Sequence, residues 1–279
     1  VAVTGHHSHP SSTPIFFNLI SVDTIVADIV EICNQMTSQE VLGDEGFAAV
    51  VEACKMGIAC HLNEEVIGMA IYLDSASSDD VRQAVKLGFV AGVTTNPKLL
   101  ARFDRPAEQL VPELCDIVGD GLVFYQLTAA TVDERKREAH RIAGLRPGRI
   151  GLKIPCTTEN LGLLPDLARD GLTCAVTAVF SAYQALLACE VGADYLVLYV
   201  NRATRQLGDG IGLVEEIADV IEVTGASTEI LAASFHNLRE VVEATWAGAD
   251  HVTISLDLLR GLGDHPLSER AIEEFAGFV

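Results

Sequence analysis

Lysine is scarce in this chain, with five in 279 residues, and all basic residues together number 19 against 39 acidic ones. The resulting formal charge of −20 argues against nucleic acid or an anionic membrane as a partner. Any anionic substrate must then be met by a local cationic pocket, because the global field repels it. Long apolar runs are missing too: none approaches the roughly 18 residues that a membrane span needs. The amino end lacks the basic n-region and apolar core of a secretory signal. There is no CxxC pair among the seven cysteines, which lie scattered at 33, 54, 60, 115, 156, 174 and 189. An odd, dispersed set suits a reducing compartment with cysteine used as a small apolar residue, and predicts a cytoplasmic protein. Cys54, Cys60 and His61 lie near one another, but their spacing matches no metal-ligand pattern. No metal site is expected.

What remains is an ordinary balance, 49% hydrophobic and 21% charged, in a chain long enough to bury a sizeable core. Residues 1–14 are polar, carry His6, His7 and His9, and read as a flexible tail. Residues 20–60 contain VDTIVADIVEIC and DEGFAAVVEAC, with apolar residues at the i, i+3, i+4 and i+7 spacing of a helix face. Only one of the 19 basic residues lies before position 69. This shift in composition predicts an extension over 1–68, a tail followed by helices, and a separate domain over 69–279.

From Met69 onward the chain alternates steadily. Apolar strands are expected at 70–74, 89–95, 122–127, 149–154, 172–179, 193–200, 228–234 and 251–256. Helical segments lie between them, several opening after Ser, Thr or Asn and several stopping at glycine (Gly88, Gly171, Gly192, Gly248). Eight strands, each followed by a helix, predict an α/β fold of the (β/α)8 barrel type. The alternative is a doubly wound open sheet. No GxGxxG follows the first strand, which weakens a dinucleotide reading.

In a barrel the chemistry collects at the carboxyl ends of the strands. The fourth strand there carries Lys153, on the face opposite Ile150, Leu152 and Ile154. An ammonium group aimed at an interior is costly unless paired or neutralised, and burial lowers its pKa towards that of a nucleophilic amine. Two readings stay open on that stretch alone: a catalytic amine, or a lysine that snorkels or pairs with a carboxylate. The other strand ends supply Asp74, then Thr94 and Asn96, then Gln126, Thr177, Tyr199 with Asn201 and Arg202, and Ser234. Each has a bland alternative as a cap, turn or core residue, but their recurrence at comparable positions makes a polar ring.

These segments also carry a resemblance. YLDSASSDDVRQAVKLGFVAGVTTNPKLL resembles the opening βαβ unit of the transaldolase family, and GLKIPCTTENL its Schiff-base lysine strand. LTCAVTAVFSAYQALLACEVGADYLVLYVNR and ILAASFHN are similar to its later signatures, in family order and spacing over 69 to about 275. Gln126 and Tyr199 resemble the compact fructose-6-phosphate aldolase group, where transaldolases usually carry Glu and Phe. Residues 1–68 lie outside the resemblance.

The resemblance implies a Schiff-base aldolase or transaldolase acting on dihydroxyacetone units of sugar phosphates. Lys153 would attack the carbonyl, and Asp74 and Asn96 would hold the amine and the donor hydroxyls, with Thr94 beside them. Tyr199, with a water held by Gln126 and Thr177, would shuttle protons. Arg202 and Ser234, with Asn201 nearby, would anchor a phosphate, although His236 stands where the family commonly has Lys or Arg. No cofactor is implied, since the iminium itself supplies the electron sink. A small-molecule sugar or sugar phosphate is the expected partner, and a homo-oligomer the expected assembly. The close alternative is transfer of dihydroxyacetone between sugar phosphates, as in the pentose phosphate pathway. A further alternative is a sugar-phosphate-binding barrel without turnover.

Overall fold

The computed structural model describes residues 68–278. The expected helices of residues 20–60, the histidine-bearing tail and the Cys54, Cys60, His61 group lie outside the described residues. So does the extension as far as residue 67.

All eight expected strands form. They are β1 Ala70–Asp74, β2 Val90–Thr94, β3 Leu122–Gln126, β4 Ile150–Pro155, β5 Cys174–Val179, β6 Tyr195–Tyr199, β7 Glu229–Ala233 and β8 His251–Ile254. Each pairs in parallel with its sequence neighbours, and β1 pairs with β8, so the sheet is a closed barrel. Closure runs in register from Ala70 opposite His251 to Leu73 opposite Ile254. This decides between the barrel and the open sheet.

The alternation along each strand divides the apolar residues into two separate clusters. Leu73, Val93, Val123, Leu152, Val176, Leu196 and Val252 point outward and pack under the helices. Tyr72, Phe124, Ala175, Val197 and Leu231 point inward and fill the barrel. The interior depends on the Phe124 ring, which meets Tyr72 and Tyr195 edge-on at centroid distances of 5.6 and 5.2 Å. Gly151 makes room for it, since a Cβ there would lie 2.5 Å from the ring. A packed interior of this kind leaves no pore and forces chemistry to the rims.

Twelve helices are found among the described residues. After β1 comes α1 (Ser78–Val85), after β2 come α2 (Pro97–Leu100) and α3 (Ala107–Val118), and after β3 comes α4 (Val132–Ala143). The segment expected as one helix after β4 is two, α5 (Thr158–Leu161) and α6 (Leu164–Arg169), with a proline at the start of the second. Then follow α7 (Ala182–Glu190), α8 (Val200–Leu207), α9 (Gly210–Thr224), α10 (Leu238–Trp246), α11 (Leu256–Gly261) and α12 (Pro266–Ala276). The helices α2, α8 and α11 are not marked by the sequence pattern. α8 matters most, because it begins directly at the end of β6 with Tyr199 at its N-cap and no side-chain cap bond. Asn201 and Arg202 therefore lie in a first helical turn rather than in a loop. The four glycines expected to stop helices all take positive φ. Among the described residues no helix is long and apolar enough to cross a membrane.

Candidate active site

Lys153 is 3% exposed and sits on the inward face at the carboxyl end of β4. Its Nζ donates to the Thr95 carbonyl at 3.1 Å. An ammonium has three hydrogens to place, and that carbonyl is the acceptor found for it among the described residues. Burial pulls the amine down from 10.5 to about 8, while the charge of Asp74 resists a further fall. By simple titration roughly one molecule in ten carries the neutral, nucleophilic amine at pH 7.

Asp74 ends β1 and lies in register with Thr94 on β2. Burial raises its carboxyl pKa, opposed first by Lys153, then by the Thr94 hydrogen bond and the charge of Arg102. Thr94, fully buried, donates its hydroxyl to Asp74 Oδ1 at 3.0 Å. Its oxygen also lies 2.7 Å from the hydroxyl of Thr253 on β8.

Across the barrel, the Thr177 hydroxyl and the Tyr199 phenol are 2.9 Å apart. Burial raises the phenol's pKa, Thr177 and Arg202 oppose the rise, and Asp74 adds to it. A phenol raised above its usual range is protonated at neutral pH and has a hydrogen to donate. The Arg202 guanidinium lies over the Tyr199 ring, 4.7 Å from its centroid. Among the described residues no carboxylate pairs with Arg202 within 4.0 Å. Gln126 closes the ring as the register partner of Lys153.

The backbone is strained at two places beside these groups. Ala178, next to Thr177, has φ of 61°, at a register shift between β5 and β6. Ser234 has φ of 65°. Neither is a residue type that favours this region, and such outliers cluster at functional sites.

Asn96 and Asn201 are partly committed elsewhere. Asn96 caps α2, its side-chain oxygen accepting from the Leu99 amide at 3.0 Å. Asn201 donates through its side chain to Glu240 at 3.1 Å and through its backbone N–H to the Ser234 carbonyl at 3.0 Å. It thus links the end of β6 to the loop after β7. Glu240 also accepts from the His236 amide at 2.7 Å. His236 itself is exposed.

Three supporting residues escaped the sequence reading. Thr253 belongs to the inward face of β8, and the alternation of His251 and Thr253 against Val252 and Ile254 was the available signal. Glu138 is buried on α4 and accepts from the Tyr125 phenol, the Thr128 hydroxyl and the backbone amides of Thr128 and Ala129. It fixes the loop that follows Gln126, and its position four residues before buried Ile142 placed it on the inner face. Glu240 is marked in the sequence only as the third residue after the N-cap Asn237, and its bond to Asn201 comes from a separate element, α8.

Comparison with known proteins places this geometry in context. The family model for Transaldolase/Fructose-6-phosphate aldolase matches residues 71–277. A probable transaldolase of Listeria monocytogenes serotype 4b is 36% identical over 207 residues, covering 74% of this chain and 96% of that protein. A probable transaldolase of Desulfosudis oleivorans is 38% identical over 207 residues, with the same two coverages. Among solved structures, a flavocytochrome b2 double mutant with sulfite bound aligns at a TM-score of 0.50 and 14% identity. It covers 70% of this chain, which spans 58% of that one, and the likeness shows the fold alone.

Proposed function

Because the chain belongs to the transaldolase/fructose-6-phosphate aldolase family, we propose that it forms a Schiff base at Lys153 with dihydroxyacetone units of sugars or sugar phosphates. The observation that carries this reading is the buried amine, lowered to about 8, at the carboxyl rim of the barrel. Neutral Lys153 attacks the ketone carbon, and the carbinolamine loses water to give an iminium. Its positive nitrogen takes up the electron pair when the C3–C4 bond of the sugar breaks. The C4 hydroxyl gives up its proton as the aldehyde departs, and the enamine left on Lys153 is protonated before hydrolysis. Asp74, facing the amine, balances its charge as it cycles between the ammonium, neutral and iminium forms. Asn96 holds donor hydroxyls through its side-chain N–H groups. Tyr199 passes protons with Thr177, and a water positioned by Gln126 completes the transfer. Arg202 leaves the Tyr199 face to meet a substrate phosphate, with Ser234 beside it.

Release of the enamine as free dihydroxyacetone is an aldolase outcome, and its capture by a second aldehyde is a transaldolase outcome. Gln126 and Tyr199 favour the first, since a glutamine is no base. The relatives' names favour the second. Borohydride reduction in the presence of dihydroxyacetone and, separately, fructose 6-phosphate tests the shared step. A stable adduct mapped to Lys153 is expected. A folded protein that yields no adduct with either donor would sink the reading. Product analysis with and without added erythrose 4-phosphate then separates release from transfer.

A further inference from the structure

Thr94 is bonded on two sides, and counting protons fixes the direction of both bonds. A hydroxyl has one hydrogen. When Asp74 is ionised it can only accept, so Thr94 spends its hydrogen on Oδ1, 3.0 Å away. The 2.7 Å contact between Thr94 and Thr253 must then be donated by Thr253. The three groups come from three strands around the closure seam. Asp74 faces Thr94 in register across β1 and β2, and Tyr72, two residues earlier, faces Thr253 across β1 and β8. Strands β2 and β8 are not neighbours, so their hydroxyls meet only because both point inward over β1. Thr94 is fully buried and Thr253 is 2% exposed.

We propose that Thr253 is a positioning residue for Asp74, acting through Thr94 as a two-hydroxyl relay that supports the carboxylate in an interior that opposes its charge. The relay is less complete in the other protonation state. If Asp74 takes up a proton, it donates to Thr94, and both threonine hydroxyls reverse so that Thr94 donates to Thr253. That reversal leaves the buried Thr253 hydrogen without an acceptor within the chain of bonds, so the relay is complete only around the ionised carboxylate. A carboxylate beside an amine that must gain and lose charge benefits from a support that favours its ionised form. Thr94, on this view, serves Asp74 rather than a substrate hydroxyl. The charged or titratable groups that act on Asp74 are Lys153 from β4, Tyr199 from β6 and Arg102 from the turn after α2. The relay adds to these from β2 and β8.

The proposal rests on the preceding reading for its catalytic meaning, so its test is an equilibrium measurement that needs no turnover. Carbon-13 NMR titration of the Asp74 carboxyl in the full chain compares the parent with Thr253→Val, Thr253→Ala, Thr253→Ser, Thr94→Val and the double Thr94→Val/Thr253→Val. Loss of the Thr253 hydroxyl is expected to raise the Asp74 midpoint by about 0.5–1 pH unit, the equivalent of one modest hydrogen bond. Thr253→Ser keeps the hydroxyl and stays near the parent, whereas Thr253→Ala, which shrinks the side chain at least as much, shifts like Val. This pair separates the relay from packing if Thr253→Val itself folds poorly. The double variant should match Thr94→Val alone, because Thr253 has nothing to act through once Thr94 is gone. An unmoved midpoint in both Val and Ala, a Ser variant that shifts like Ala, or full additivity in the double variant would overturn the relay. Trapping at Lys153 reports on the function separately: an adduct without the midpoint shift sinks the relay alone, and the shift without an adduct sinks the function alone.

Discussion

The two ends of the barrel interior hold buried polar groups of similar kinds in different states of completion. At the amino end, His251 is 2% exposed and lies among the rings of Tyr72 and Tyr195. Its Nδ1 accepts from the Ala70 amide at 3.1 Å, so its Nε2 carries the hydrogen and donates to Glu229 at 2.9 Å. Both ring nitrogens are used, and the bonds tie β1, β7 and β8 together at the closure. At the carboxyl end, Lys153 spends one hydrogen on a backbone carbonyl, and Asp74 has one oxygen held by Thr94. Strained backbone flanks this end, at Ala178 and Ser234. Unspent hydrogen-bonding capacity on a buried amine is what a staple lacks and a substrate site needs.

The largest expected effect comes from Lys153→Met. Under the proposed mechanism it abolishes turnover, by about four orders of magnitude or more in kcat/KM with fructose 6-phosphate. The same change should stabilise the fold at pH 7 by on the order of 2–3 kcal/mol, read from urea unfolding. The amine titrates at about 8 in the fold against 10.5 as its usual value, so the folded chain binds fewer protons between those limits. Parental stability therefore rises with pH across that window, and the advantage of the Met variant is complete below about pH 8 and fades towards 10.5. Loss of stability in the variant at pH 7 would make Lys153 a staple like His251. The parent's own kcat/KM should climb with pH up to about 8, as the amine loses its proton.

Next in size is Tyr199→Phe, which removes the phenol from Thr177 and leaves the ring under Arg202. A fall of about 10²–10³-fold in kcat is expected with the Lys153 adduct still trappable, since proton transfer and not iminium formation is affected. Equal loss of both would merge the two steps. A smaller, selective effect is expected for Arg202→Gln. It should raise KM about tenfold for fructose 6-phosphate and leave dihydroxyacetone trapping within about twofold. An equal effect on both donors would show that Arg202 serves Tyr199 rather than phosphate.

The smallest effect on activity is expected at the other end. His251→Leu leaves the Ala70 amide and Glu229 without their partner, at a cost of about 1–3 kcal/mol in unfolding free energy. Its kcat/KM should stay within about twofold of the parent at a temperature where both are folded. A large kinetic defect in a folded variant would remove the distinction between the two ends.

Much of this molecule was legible in its sequence. Strand periodicity and the spacing of glycine stops located all eight strands, because alternation along a strand reports directly which side is buried. Placing Lys153, Asp74, Thr177 and Tyr199 on inward faces at carboxyl ends needed no more than that alternation and the barrel rule. α8 was not legible, since its start is set by the end of β6 rather than by a capping residue. Asn201 and Arg202, expected at the end of the sixth strand, consequently lie in a helical turn, one tied to Glu240 and the other stacked on Tyr199. Sequence by itself determined the repeating βα order, the family and the residue types available at the rim, all of which depend on local pattern. Tertiary structure alone decided that the sheet closes, and that closure brings the hydroxyls of β2 and β8 together over β1. It also decided that the carbonyl of Thr95 receives the amine of Lys153. Contacts between strands that are not neighbours in sequence depend on register and curvature, and neither is written in the period of any one strand.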